Sequence, residues 1–227
     1  IDLSDFVEDA RQEIGIKPLP DRLIGPAARR IMEAARDLGL KWNPIDKFID
    51  ANKCELKCPH CMLGCIKGAR WTARDYVQQA VEKGTILLNQ ALVQEVVVEN
   101  HQAVGVWAMT PHGRLRVNAK VTVIAAGGIA TPVILQRAGI YNAGQGFFSD
   151  PLIITYGVYN GPGSWRDIPM STGTLEYAPE GIVMTDLAYP WSFYLLNAYW
   201  KGWKYLPRFL QYRHSLGIMT KVRDGLD

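Results

Sequence analysis

The chain lacks any apolar run long enough to span a bilayer, and its formal charge of +3 is small for 227 residues. The first absence excludes an obvious transmembrane helix, and the second gives no support for a nucleic-acid partner. Cysteine is missing everywhere outside the short segment from Cys54 to Cys65. Secreted disulfide scaffolds spread their cysteines along the chain, so this clustering favours a reducing compartment or a metal. We therefore expect a cytoplasmic location and no nucleic acid among the partners.

Two further signals are missing at the start of the chain. No signal peptide is recognisable, and the first residue is Ile1 instead of Met. The remaining composition, 48% hydrophobic and 21% charged, is ordinary for a globular protein. We expect a fragment or a processed piece with one large domain or two small ones.

Hydrophobic periodicity divides the chain into helices followed by strands. Helices are predicted at residues 1–14, at Pro26–Leu38 and at Thr72–Lys83 from apolar residues that recur on one face. Alternating or apolar runs separated by turn residues predict a β-meander. Its strands are expected at Thr85–Leu88, Leu92–Glu99, Ala103–Met109, Arg114–Val117 and Val121–Ile124. Later strands are expected at Leu152–Tyr159 and Thr174–Tyr177.

The most informative stretch begins with the β-branched run Val121–Ile124, which predicts a strand buried on both faces. Ala125, Ala126 and the pair Gly127–Gly128 follow, and then Thr131 and Pro132 are expected to cap and begin a helix. A strand that ends in small residues at a helix start is where α/β folds bind a nucleotide or flavin. An ordinary strand-to-helix turn is the alternative.

Two motifs resemble a known family. Ala126-Gly-Gly-Ile-Ala-Thr-Pro-Val-Ile-Leu135 with Ala138-Gly-Ile140 resembles the second signature of the glucose-methanol-choline (GMC) flavin oxidoreductases, although Ala138 replaces the usual Ser. Cys58-Pro-His-Cys-Met-Leu-Gly-Cys-Ile-Lys-Gly-Ala-Arg70 resembles the Cys-x-x-Cys-x-x-Gly-Cys-x-x-Gly-x-Lys block of a branch that includes long-chain alcohol oxidases, with Arg70 in place of Lys. The resemblance covers roughly residues 5 to 160.

The resemblance implies a fold, a cofactor and cofactor-binding residues. It implies an α/β fold with α+β elements, FAD as cofactor, and oxidation of an alcohol by hydride transfer to the flavin. The alcohol is expected to be apolar or bulky if the aromatic residues of 189–213 line its pocket. Ala125, Ala126 and Gly127 are the positions where the backbone approaches the flavin. Val93 matches the family's valine whose backbone binds the adenine, and a plain core valine is the alternative. Residues 1–145 are expected to be a partial flavin-binding domain with the cysteine loop, and residues 146–227 a partial substrate domain with an antiparallel sheet.

Two motifs of the family are absent. The chain has no Gly-x-Gly-x-x-Gly to seat the flavin pyrophosphate. None of His60, His101, His112 and His214 stands in a match to the family's catalytic motif, so no catalytic base is assigned. We expect a companion chain or missing segments to complete the FAD site.

The cysteines form a second candidate site. The spacing Cys54-x-x-x-Cys58-x-x-Cys61-x-x-x-Cys65 suits four thiolates on one cation or a [4Fe–4S] cluster, with His60 as a further potential ligand. The first three also match the pattern of radical S-adenosylmethionine enzymes, which need a β/α barrel that this sequence does not predict. Buried thiols or a disulfide are the alternative. A metal-binding electron-transfer module is accordingly a second hypothesis for function.

Residues 189–213 are unusually aromatic and include Lys201, Lys204, Arg208 and Arg213. This composition suits a peripheral contact with a membrane surface, and it equally suits a hydrophobic wall or lid for an apolar substrate. A buried amphipathic helix pair is the third interpretation.

Overall fold

The computed structural model describes residues 2–58 and 60–225. These residues form five α-helices: α1 Ser4–Ile14, α2 Pro26–Asp37, α3 Arg74–Glu82, α4 Gly127–Arg137 and α5 Trp191–Trp200. They also form ten strands: β1 Lys17–Pro18, β2 Asn43–Pro44, β3 Asp46–Lys47, β4 Leu92–Glu99, β5 Gln102–Thr110, β6 Gly113–Asn118, β7 Leu152–Val158, β8 Thr172–Thr174, β9 Ile182–Leu187 and β10 Ser215–Val222. Short 3₁₀ helices lie at Asp21–Leu23, Ser164–Arg166 and Ala178–Glu180, and a longer one spans Trp203–His214.

Contacts divide the chain into two compact units. The first unit combines the residues up to Asp75 with Asp150–Asp224, and the second takes Tyr76–Ser149. The chain therefore leaves the first unit and returns to it. The predicted division into residues 1–145 and 146–227 stays a prediction.

An antiparallel sheet organises the first unit. Its five strands lie in the order β2-β8-β9-β10-β7, and β1 pairs separately with β3. Helix α2 buries Ala28, Ile31, Met32 and Ala35, which recur at the helical spacing of one face. Ile31, Met32 and Ala35 form one core cluster with Trp42, and Leu216 and Ile218 of β10 pack against it. The α/β fold class with an antiparallel sheet is thus confirmed.

A residue far away in sequence caps helix α2. The Oδ2 atom of Asp167 accepts hydrogen bonds from the N–H groups of Ala27 (3.0 Å) and Ala28 (3.1 Å). These are amides of the first turn, which have no partner within the helix. Gly25 precedes the helix, and an added Cβ there would collide with the Asp167 carboxylate. The cap therefore ties the start of α2 to the loop before β8.

The second unit is built on the predicted β-meander. Its three strands lie in the order β4-β5-β6 and all pair antiparallel. Helix α4 contacts β4, and the Nη1 atom of Arg137 donates to the carbonyl of Gln94 at 3.0 Å. The helix and the meander therefore belong to one packed unit.

Three sequence-based predictions of secondary structure are wrong. Residues 85–88 and 121–124 form no strand, because no described strand pairs with them and an extended segment needs a partner to form a ladder. Val121 and Val123 are accordingly exposed instead of buried. The strand expected at Thr174–Tyr177 ends at Thr174, whose Oγ1 accepts a hydrogen bond from the N–H of Glu176 and begins a turn.

Helix α4 also begins earlier than the sequence predicts. It starts at Gly127, whose φ of +85° lets the chain turn into the helix, and Pro132 therefore lies inside it. The Oγ1 atom of Thr131 still accepts a hydrogen bond at the helix start, from the N–H of Ala126 at 3.1 Å. Among the described helices, none has the length and apolar character needed to cross a bilayer.

Candidate functional site

The cysteine loop is closed at its base by short main-chain pairing. Ile49 and Arg70 form an antiparallel bridge, the N–H of Asp50 donates to Ala69 at 2.7 Å, and the N–H of Trp71 donates to Phe48 at 3.0 Å. These contacts bring the two ends of the loop together, so its side chains face a shared interior. Cys54 and Cys61 also pack against the core cluster formed around Leu23 and Ile168.

A cavity of about 110 Å³ lies inside this loop, and all four cysteines line it. His60 and three cationic side chains, Lys47, Lys67 and Arg70, line the same cavity. Lys67 is paired with Glu55 at 2.6 Å. The Nζ atom of Lys47 donates to the carbonyl of Pro169 at 3.2 Å. Of the three cationic side chains, Lys47 and Arg70 form no ion pair with a carboxylate of the described residues.

The four thiols are free, and each is partly buried. Burial raises the pKa of Cys61 to about 11 and also raises the pKa of Cys54. For Cys65, burial acts in the same direction, but main-chain N–H groups of residues 70, 69 and 67 together hold its pKa below the ordinary value. The N–H of Ala69 lies 3.3 Å from the Cys65 Sγ atom. The cysteines therefore differ in how readily they ionise.

Sharing a cavity does not make these cysteines a formed metal site. Within residues 2–58 and 60–225, no three side chains of His, Cys, Asp or Glu are arranged to hold a metal ion. The predicted metal ligands Cys54, Cys58, Cys61 and Cys65 are brought around one cavity, and their role as ligands stays a prediction.

The predicted flavin contacts lie in the second unit. Val93 is half-buried in β4, where its Cα pairs with that of Ala108 in β5. Ala125, Ala126 and Gly127 are exposed at the start of α4, the helix that packs on β4. The structure therefore brings the strand of Val93 and the helix that begins at Gly127 into contact.

The start of helix α4 is open. An added Cβ at Gly127 or Gly128 would meet no atom within 4 Å. The first turn of the helix contains no acidic residue. Because the first amides of a helix lack partners and carry partial positive charge, such an end can bind an anion.

A buried carboxylate that sequence reasoning did not single out lies on β9. Asp186 is 1% exposed, and its Oδ1 atom accepts hydrogen bonds from the N–H and hydroxyl groups of Ser171 and Thr172. Burial raises the pKa of Asp186 to about 6. Its Oδ2 atom has no hydrogen-bond partner among the described residues. Nothing local in Met184-Thr185-Asp186 signals this role, since the donors come from the start of β8 and from the residue before it.

The family model described as GMC oxidoreductase matches residues 2–153. The chain belongs to the GMC oxidoreductase family. The match includes the cysteine loop, Val93 and the start of α4, so the cysteines and the predicted flavin contacts all lie within it.

Three relatives illustrate the similarity. An uncharacterized GMC-type oxidoreductase of Mycobacterium tuberculosis (strain ATCC 25618 / H37Rv) is 27% identical over 81% of this chain and 30% of its own length. A long-chain-alcohol oxidase of Arabidopsis thaliana is 25% identical over 74% of this chain and 26% of its own. An uncharacterized protein of Methanocaldococcus jannaschii is 26% identical over 97% of this chain and 53% of its own. The chain thus spans between about a quarter and a half of these relatives.

The family implies FAD, and the residues at the start of α4 fit it. The exposed main chain of Ala125–Gly128 leaves room for close approach of a bulky group. The amide end of an eleven-residue helix whose first turn has no acidic residue suits a phosphate-containing cofactor. FAD is therefore compatible with this end of the second unit.

Proposed function

We propose that this chain supplies part of the FAD site of an oxidoreductase that oxidises the CH–OH group of an alcohol. One observation carries the proposal: the start of α4 has open space around it, and α4 packs on β4, the strand that contains Val93. Both elements lie inside the region that matches the family model. When bound, FAD supplies the hydride acceptor. The main-chain amides at the start of α4 bind its phosphates, and the backbone of Val93 orients its adenine. We assign no catalytic base to this chain, and a companion chain or further segments supply one.

The proposed substrate is an apolar alcohol. A cavity of about 290 Å³ in the first unit is lined by residues of β7, α5 and the segment after α5, namely Ile154, Thr155, Tyr156, Tyr194, Asn197, Ala198, Lys201 and Tyr205. The aromatic and aliphatic side chains of this wall suit the apolar part of a ligand, whereas Thr155, Asn197 and Lys201 make the wall partly polar. The Arabidopsis relative is named a long-chain-alcohol oxidase, which is in keeping with such a substrate.

The FAD proposal is tested at Ala126, the residue that immediately precedes α4. Ala126→Asp places a preferred capping residue there, which stabilises the helix, but it also places a negative charge where the phosphates bind. We expect flavin affinity of the native protein to fall by roughly tenfold or more while thermal stability is kept or raised. Flavin fluorescence on release and the melting temperature measure the two effects.

Ala126→Ser is the matched control, because it offers a cap without a charge. It should retain flavin. Equal flavin affinity in the Asp and Ser variants would contradict the proposed phosphate contact, and a native protein without flavin absorbance would contradict the function itself.

We propose, as a second candidate function, that the cysteine cavity holds an iron–sulfur cluster or another thiolate-bound metal. The favouring observation is that four thiols and the cations Lys47 and Arg70 line one cavity. Soft thiolates select iron–sulfur clusters and zinc, and the two cations offset the negative charge of four thiolates. Since the thiols are not arranged as a ligand set, binding requires their side chains to rotate inward. A cluster here would relay electrons, which favours a dehydrogenase.

An anaerobic absorption spectrum with iron and sulfide analysis tests this second candidate. We expect Cys61→Ser to lose the metal, whereas Met62→Leu, a change at another residue of the cavity wall, should keep it. Flavin absorbance in metal-free native protein would contradict the cluster and leave the FAD proposal intact.

A further inference from the structure

Helix α5 has an apolar face on each side. Its inner face packs in the first unit: Tyr194 and Ala198 are buried, and the Tyr194 ring lies 5.4 Å from that of Tyr156 in an edge-on arrangement. Its outer face presents Leu196 and Tyr199, which are 55% and 56% exposed. The outer face of a surface helix is normally polar. Packing of the inner face therefore leaves the composition of the outer face unexplained.

The exposed apolar surface continues past the end of the helix. Trp200 is 85% exposed and Trp203 is 75% exposed. Between them, Gly202 turns the chain with a φ of +101°. The rings of Tyr199 and Trp203 stack edge to face with centroids 5.7 Å apart. We call Leu196, Tyr199, Trp200 and Trp203 the aromatic tip.

Only positive charge accompanies the aromatic tip in the sequence. No Asp or Glu occurs between Tyr189 and Arg213. Lys201 and Lys204 are exposed beside Trp200 and Trp203. Among the described side chains, neither lysine takes part in a recorded ion pair. Arg208 also belongs to this segment, but its side chain is not among those that the structure describes.

We propose that the aromatic tip docks on the surface of an anionic lipid bilayer. Tryptophan and tyrosine favour the boundary between head groups and acyl chains, because their rings are apolar and carry a polar atom. Lysines beside them extend their ammonium groups to anionic head groups. The absence of carboxylates removes the repulsion that such a surface would otherwise meet. The contact is peripheral, since no described helix is long and apolar enough to cross the bilayer.

The test is co-sedimentation of the purified 227-residue chain with vesicles. We expect binding to vesicles of phosphatidylcholine with phosphatidylglycerol, and weak binding to phosphatidylcholine alone. Trp200→Ala with Trp203→Ala should lower the partition coefficient by roughly tenfold or more, because it removes the inserted rings. Lys201→Glu with Lys204→Glu should lower it by roughly 30-fold or more on anionic vesicles, and high salt should weaken binding of the wild type.

Matched controls separate docking from general stickiness or charge. Phe147→Ala with Phe148→Ala removes two other exposed aromatic rings, 67% and 62% exposed. Lys17→Glu with Lys41→Glu makes the same change in net charge elsewhere on the first unit. Both controls should bind anionic vesicles like the wild type, and circular dichroism should verify that every variant is folded.

Two outcomes would overturn the proposal. One is a wild-type chain that does not bind the anionic vesicles. The other is that both double variants of the aromatic tip bind the anionic vesicles as well as their controls do. This outcome overturns the proposal even if the tip variants lose self-association. The proposal is independent of the flavin proposal, because none of its variants touches the start of α4 and flavin absorbance can be measured on the same samples.

Discussion

The two units of this chain bury their apolar residues to very different extents. The first unit has two buried clusters that both include residues of α2, with Leu23 and Trp42 only 2% and 1% exposed. In the second unit, the described hydrophobic residues that are buried are Ala108 and Ile134. Val123 and Ile129 of the same unit are 84% and 77% exposed. The first unit is thus stabilised by packing, and the second mainly by its strand ladder.

In the second unit, polar side-chain contacts across the strands add to the strand ladder. Arg114 lies over the ring of Trp107 at 4.1 Å and pairs with Glu95 at 2.8 Å. Arg116 pairs with Glu99 at the same distance. Each exposed pair of this kind contributes only about 0–1 kcal/mol. We therefore expect the unit that contains the proposed flavin contacts to be the less stable one, and a cofactor bound there to stabilise it by mass action.

The largest expected effect comes from Trp42, at the centre of the first unit. Its Nε1 atom donates to Thr172 Oγ1 at 2.8 Å, and its ring packs with Ile31, Met32 and Ala35. Trp42→Ala should lower the free energy of unfolding of the first unit by about 3–5 kcal/mol through a large cavity. Hydrogen exchange would measure this loss, and amides of residues 92–118 should exchange as in the wild type.

Trp42→Phe is the control for that prediction. It keeps most of the packing and removes the hydrogen bond, so we expect a loss of about 1–2 kcal/mol. An equal loss of protection in both units would show that they unfold together, and the contrast between them would then be wrong.

A pH-dependent effect of about 3 kcal/mol is expected at Asp186, since its folded-state pKa of about 6 exceeds the ordinary 3.8 by about two units. A carboxyl whose pKa is raised on folding stabilises the folded state while protonated. This contribution is present below about pH 4 and is lost as pH rises from about 4 to 6. Asp186→Asn keeps an acceptor for Ser171 and Thr172 and removes the titration. The variant should therefore gain stability relative to the wild type between pH 4 and 7 in chemical denaturation.

A constant difference between the Asn variant and the wild type across that range would contradict the raised pKa. Asp21→Asn is a suitable control. Asp21 is exposed and pairs with Arg29, which lowers its pKa, so its removal should change the pH dependence in the opposite sense.

Local signals in the sequence were sufficient for α2 and for the meander. Pro26 at the start, Gly39 after the end and apolar residues on one face predict the helix to within one residue of its observed end. Alternation with turns at 100–102 and 111–113 predicts strands β4, β5 and β6. These features depend on neighbours in sequence, and that is why they could be predicted.

Features that depend on distant residues could not be predicted. The capping of α2 by Asp167 and the burial of Asp186 join segments that no short motif connects. The run Val121–Ile124 has the composition of a buried strand, but a strand forms only with a partner. For the cysteines, spacing predicts that the thiols lie close together, whereas the closure of the loop by Ile49 and Arg70 is a property of the fold.

A smaller effect is expected at Gly25 in the first unit, where the Asp167 carboxylate fills the space that a side chain would need. Its φ is −71°, which any residue adopts, so only the contact with Asp167 opposes a side chain. Gly25→Ala should displace the carboxylate from the amides of Ala27 and Ala28 and cost about 2 kcal/mol, the upper range for loss of a helix cap. Asp167→Ala should cost a similar amount. Urea denaturation of the two variants and of the double variant checks this, because effects that share one contact are not additive.

The smallest of these effects on stability is expected at Gly127 in the second unit, where space for a side chain is open but the backbone conformation favours glycine. An added Cβ would meet no protein atom, but the φ of +85° is unfavourable for alanine. Gly127→Ala should cost about 1 kcal/mol in the absence of cofactor, from the backbone alone. If FAD approaches this residue, the same methyl group also hinders the cofactor, and flavin affinity should fall by more than the stability loss explains.

Gly128→Ala, at a position that is equally open but without a positive φ, separates the backbone cost from the effect of the methyl group on the cofactor. Its thermal stability without flavin should be kept or slightly raised, because alanine favours the helix over glycine, and any loss of flavin affinity would report contact with the cofactor. Unaltered flavin affinity in both variants would exclude close approach of FAD to the start of α4.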